Sequence, residues 1–107
     1  MVEVVTGVAD YRASEAWDGK PIATIGNART MVLWADRPFH WHENSTDELF
    51  VVLNGRVDMQ YRDATGEHRV WMETGDMMVI RQGESHVAHP EGEVRLLIVA
   101  HPADKED

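Results

Sequence analysis

The chain has no cysteine, so disulfides, thiolate metal sites and cysteine nucleophiles are excluded, and no redox compartment is marked. Any metal must be held by His, Asp or Glu. Basic residues are scarce: 10 Lys and Arg stand against 19 Asp and Glu, a formal net charge of -9. Binding to a phosphate backbone rests on clustered Lys and Arg, which argues against nucleic acid as a partner. No run approaches the ~18 apolar residues of a membrane span, and the first residues carry acids with no basic region ahead of an apolar stretch. The expectation is a soluble, cytoplasmic protein with no membrane partner.

Helical periodicity is nearly missing as well. The one candidate is a short helix over residues 12–17, "RASEAW". Elsewhere apolar residues alternate or run in short pieces broken by Gly, Pro, Asn and Asp, the pattern of strands. "KPIATIGNARTMVLWADRP" reads as strand, Gly26-Asn27 turn, strand, and a further turn at residues 36–38. A strand to Leu53, an Asn54-Gly55 turn, a strand to Tyr61, a loop through Gly66 and another strand follow, Asn-Gly being a strong hairpin signal. Three more are expected at Met77–Ile80, 86–88 and Val94–Ala100. Strands at this spacing without helices predict an all-β antiparallel barrel or sandwich.

With 107 residues, 43% hydrophobic and 27% charged, the composition is that of one globular domain, here 1–107, with 102–107 ("PADKED") expected to be a flexible charged tail. No linker, low-complexity tract or repeat divides it.

One stretch gathers chemistry: "FHWHENSTDELF", residues 39–50. In an extended strand His40 and His42 would point to one face, and Phe39 and Trp41 to the other. If the chain turns through residues 43–47 and returns as a strand from Glu48, then Glu48, Phe50 and Val52 share a face, and the Glu48 carboxylate can meet the imidazoles. A His-x-His alone is more often a polar strand edge than a ligand pair. The second segment, "GDMMVIRQGESH", changes the balance, because His86 after the Gly83 turn opens a strand that can bring a third imidazole.

Together these segments resemble the two motifs of the cupin superfamily. The first matches at His40, His42, Glu48 and Gly55, with the six residues "LFVVLN" between the last two; the second matches at Gly75, Gly83 and His86. The resemblance covers about half the chain. It departs from the pattern at Trp34 and Arg81, where Gly and Pro are usual, at Pro90 in place of Asn, and in the five residues between His42 and Glu48. That extra residue leaves Asp47 as a rival to Glu48. Glu48 is favoured because the strand to Gly55 fixes register and a one-residue slip turns every side chain over.

The resemblance implies a cupin double-stranded β-helix, an antiparallel jelly-roll barrel, with His40, His42, Glu48 and His86 as ligands to one divalent transition ion. Imidazoles and a carboxylate suit Fe, Mn, Ni, Cu or Zn without choosing among them. Phe50, Gln60 and Met78 are the candidates for contact with a small-molecule substrate or ligand. Catalytic residues beyond the ligands are not assigned. Glu43 or Asp47 is close enough in sequence to serve as an acid or base, although Glu43, like His68, His89 and His101, reads more simply as surface. Trp34, Trp41 and Trp71 read as core or dimer contacts.

Two function classes follow: a metal-dependent enzyme on a small organic molecule, with dioxygenase chemistry favoured over isomerase or lyase, or a non-catalytic cupin that binds a metal or small organic ligand in a storage or regulatory role. A homodimer is expected, since the apolar segments "VEVVTGV" and "VRLLIVA" read as strands at a barrel edge that needs covering.

Overall fold

The structure, a computed structural model, describes residues 1–101. The charged tail expected at 102–107 lies outside the described residues. After a single 3-10 turn, Val8–Asp10, come nine strands: β1 (Gly19–Ile25), β2 (Ala28–Ala35), β3 (His42–Glu43), β4 (Glu48–Asn54), β5 (Arg56–Asp63), β6 (Gly66–Glu73), β7 (Met77–Ile80), β8 (Ser85–Pro90) and β9 (Val94–Ala100). They form two antiparallel sheets, a five-stranded one in the order β1-β2-β9-β4-β7 and a four-stranded one in the order β3-β8-β5-β6. This is the expected all-β jelly-roll architecture.

Alternation builds the core. Glu48, Phe50 and Val52 are the buried residues of β4, and Val94, Leu96, Ile98 and Ala100 those of β9. Phe50 and Val52 with the four β9 residues meet Val57, Met59, Met72 and Ala88 of the other sheet in one apolar cluster. Burial at about 25 cal/mol per Å² of apolar surface makes this cluster the chief source of stability. Gly55 turns β4 into β5 with φ 109, a conformation that favours glycine, and it packs so closely on Glu93 and Val94 that a Cβ would lie 2.8 Å from each.

Three expectations are corrected. No helix forms over residues 12–17, which bend and turn instead. Six residues are too few to sustain a helix alone, and the segment's end is drawn into the sheet: the Trp17 N–H donates to the Trp34 carbonyl at 2.8 Å and the Trp34 N–H to the Asp18 carbonyl at 3.2 Å. The segment "VEVVTGV" forms no strand among the described residues; Met1, Val2 and Val4 are exposed, and only Val8 enters the 3-10 turn. Nor does "VRLLIVA" lie at an edge, because β9 is the middle strand of the larger sheet, paired on both sides with β2 and β4. Among the described residues no helix is long and apolar enough to cross a membrane.

Candidate metal centre

Register sets the site. β3 pairs with β8 so that His42 faces His86 directly, and cross-strand partners project from the same face of a sheet. Their ring centroids are 4.3 Å apart at 61°. From the opposite sheet, the first residue of β4 brings Glu48 across, with Oε1 3.7 Å from His86 Nε2. Glu48 and His86 are 2% and 4% exposed, so the carboxylate and imidazole meet away from solvent. Burial, reinforced by the adjacent His42, pushes the His86 imidazole down to about 3, leaving it neutral at physiological pH, the form that ligates a metal.

His42, Glu48 and His86 open onto one cavity of about 20 Å³, room for an ion or a single water-sized occupant. Its walls are apolar. Phe50 stands 6.5 Å from the His86 ring, Phe39 meets the His42 ring edge-on at 5.6 Å, and Trp17 lies 5.5 Å from Phe39. Leu33, Ala88 and Ile98 complete the lining.

The donor set fits a divalent transition ion. His42 Nε2 and His86 Nδ1 are buried with no hydrogen-bond partner, while His42 Nδ1 lies 3.4 Å from the His40 carbonyl. An imidazole nitrogen without a partner beside a neutral imidazole and a carboxylate is the chemistry such an ion takes. Among the described residues, no three His, Asp or Glu side chains already stand in the geometry of a formed metal cluster. The fit lies in the donors and their burial.

Other candidates are placed differently. His40 does not line the cavity. It is exposed and packs at a tilt of 33° against Phe39 with centroids 4.0 Å apart, 5.9 Å from the His42 ring. The alternation expected for residues 39–42 fails because the strand begins only at His42. Phe39 consequently turns toward His42 instead of away. Asp47 is exposed, accepting from the Gln82 N–H at 3.0 Å and from Arg81 at 3.1 Å, so it ties two loops together at the surface; those contacts, the backbone one first, hold its carboxyl below the usual range. Glu43 is also exposed. Phe50 lines the cavity, whereas Met78 lines a separate cleft and Gln60 neither. On β5 the core-facing residues are Val57 and Met59, which sets Gln60 on the opposite face with Asp58.

Trp17 and Phe39 are the site residues that sequence reasoning missed. Pro38 gave the available signal for Phe39, since a proline has no N–H to donate to a ladder and so often marks a break in strand pairing. Trp17 had none, being brought to the cavity by the long-range pairing of its backbone with Trp34. Its indole N–H donates to the Arg37 carbonyl at 2.8 Å, fixing the ring. Asn44 lies fully buried in the turn between β3 and β4, its N–H donating to the Glu84 carbonyl and its carbonyl accepting from Gly83, both at 2.9 Å. Those bonds pin the turn that separates His42 from Glu48.

Comparison with known proteins agrees with this fold. No curated protein matches the sequence. Among solved structures, a cupin-2 domain containing protein from Shewanella frigidimarina is similar at 26% identity over 83% of this chain and 84% of that one, with a TM-score of 0.74. Hydroquinone 1,2-dioxygenase from Sphingomonas sp. TTNP3 shares the fold at TM-score 0.76 and 17% identity, over 88% of this chain but 30% of the dioxygenase. Hydroxypropylphosphonic acid epoxidase from S. wedmorenis does so at TM-score 0.60 and 17% identity, over 69% of this chain and 43% of the epoxidase. The family described as Cupin domain matches residues 30–100, a span that holds both histidine segments, and the chain belongs to that family.

Proposed function

We propose that the protein is a metal-binding small cupin in which His42, Glu48 and His86, with His40 as a fourth candidate donor, hold one divalent transition ion. The observation that carries the reading is the convergence of His42, Glu48 and His86 from three strands and both sheets on one small apolar cavity of about 20 Å³. Leaving a buried polar atom such as His42 Nε2 without a partner costs about 1–3 kcal/mol, a cost that ligation removes. Nitrogen and oxygen donors suit Fe, Mn, Ni, Cu and Zn alike. When bound, such an ion supplies Lewis acidity and, if redox-active, activation of O2. Glu48 and His86 are fixed by strand register, and Phe39, Phe50 and Trp17 keep bulk water from the donors, which strengthens electrostatic interactions there.

Within this reading the favoured activity is that of a metal-dependent enzyme on a small organic molecule, of dioxygenase type, with isomerase or lyase chemistry as other reactions of the same centre. Support comes from fold likeness to a dioxygenase and an epoxidase, which is likeness of scaffold alone. The second class is a non-catalytic cupin that binds the ion or a small organic ligand in a storage or regulatory role, favoured because, among the described residues lining the cavity, the titratable groups are His42, Glu48 and His86, the donors themselves. Elemental analysis of protein purified without added metal or a histidine tag tests the centre. Near-stoichiometric metal that disappears in His86→Ala is the expected result; none in either protein, even after reconstitution, would reject it. Oxygen uptake by the loaded protein over a panel of catechols, hydroquinones and small enols then separates enzyme from binding protein.

A further inference from the structure

Beside the inner cavity, a second concavity of about 310 Å³ lies between β7 and the ends of β5 and β8. That volume is at the lower end for small-molecule sites. A row of paired residues crosses the smaller sheet from one to the other. His42 faces His86, His86 faces Tyr61, and Tyr61 faces His68, so the four side chains share one face. His86 borders the inner cavity and Tyr61 the outer cleft. At the far end of the row, Tyr61 stacks on His68 at 5.1 Å.

The chemistry of the cleft is specific. Met78 and Ile80 give it an apolar floor, and both belong to the face of β7 that packs toward the core. Asp63, Glu84 and Arg81 are its charged residues. The Arg81 guanidinium is engaged by Asp47 at 3.1 Å, so its charge is answered from outside the cleft, and the two carboxylates are left in excess. Asp63 is fixed by the Thr65 hydroxyl and backbone N–H, at 2.6 and 2.8 Å, and by His68 Nε2 at 3.2 Å. The Thr65 bonds hold its carboxyl below the usual range and therefore ionised. Glu84 accepts from the Arg81 backbone N–H at 2.7 Å. Tyr61 and Ser85 add hydroxyl oxygens. An ammonium group brings three N–H donors and no acceptor, which matches carboxylates and hydroxyls over an apolar floor. An organic anion would meet two negative charges, and the chain as a whole, at -9, repels it further.

We propose that this cleft is a binding site for a small organic cation, a primary ammonium on a short apolar body, with Asp63 and Glu84 taking the charge and Met78 and Ile80 the chain. The site does not depend on a metal, so its test is run on protein stripped with a chelator. The probes are n-butylammonium, butyrate and 1-butanol, followed through carbon-13 labelled methionine methyls, with buried Met59 as the internal control and Met78 as the reporter. Saturable movement of Met78 with n-butylammonium, and weaker or no response to the other two, is expected. The double variant Asp63→Asn/Glu84→Gln, which keeps the acceptor oxygens but removes both charges, should weaken binding roughly 3- to 10-fold, as partly exposed charge pairs do. Should that variant fail to fold, raising salt on the natural chain serves instead, since screening must weaken the interaction. Butyrate binding as well as the amine, a silent Met78, charge-removed protein binding unchanged, or salt-independent affinity would each overturn the proposal. So would binding seen only with metal restored, because the amine would then be a ligand of the ion.

Discussion

Gly55 is where a single residue constrains the fold most sharply. Its φ of 109 and the 2.8 Å approach of Glu93 and Val94 leave no space for a side chain, so Gly55→Ala meets both backbone strain and a clash. A loss of roughly 2–4 kcal/mol is expected in urea unfolding, and an unchanged midpoint would show that β4, β5 and the Glu93 loop separate without cost. The Asn-Gly pair made this turn legible in the sequence. Glu48 was legible for a related reason, since register counted back from Gly55 puts it on the core face and Asp47 at the surface. His40 was read less well: alternation was carried back through residues that are not in a strand. Trp17, at φ 69, was invisible because only tertiary pairing places it.

Among the elements, β7 and β9 begin and end where their apolar runs do, and Gly and Asn mark the turns around β1, β2, β4 and β5. The two-residue β3 could not be recognised from periodicity, since two residues carry none. It exists because β8 offers an edge on which His42 and Glu43 can pair. The outer face of β5 is held by charge. Asp58, with a side chain 9% exposed, accepts from Arg69 Nε at 2.8 Å, and Arg56 lies over the Trp71 ring at 4.0 Å. The Arg69 hydrogen bond, aided by the charges of Arg69, His89 and Arg56 and opposed by burial, holds the Asp58 carboxyl below the usual carboxylate range. A depressed folded value means stability that is full above the unfolded pKa of about 3.9 and lost as pH falls through the folded one. Asp58→Asn should therefore cost about 1 kcal/mol near pH 7, with the deficit shrinking in thermal unfolding as pH falls below the unfolded value of about 3.9. An equal deficit above and below that value would assign the loss to packing instead. In β9, Leu96→Ala should cost roughly 2–5 kcal/mol, because Leu96 is fully buried between β2 and β4.

For the whole molecule, the acidic balance and the missing cysteine narrowed the partners and donors before any fold was known. Assembly is a proposal at this scale: exposed Met1, Val2 and Val4 belong to an apolar segment with no strand partner among the described residues, and β1 and β7 are the outer strands of the larger sheet. A second copy supplies what both lack, and unpaired edges favour such additions. Light scattering at micromolar protein should give twice the monomer mass, falling toward the monomer when residues 1–7 are removed; a monomer from the intact chain would refute it. The account rests most heavily on the cavity shared by His42, Glu48 and His86. Calorimetric titration of metal-free protein with Co(II) tests it most directly, using Glu48→Gln, His86→Ala, His40→Ala and Asp47→Asn beside the natural chain. One site is predicted, weakened roughly 100-fold or more by the Glu48 and His86 changes and by no more than about threefold by Asp47→Asn, with His40→Ala measuring whether that side chain joins the set. No binding by the natural chain, or binding indifferent to His86, would contradict the metal centre.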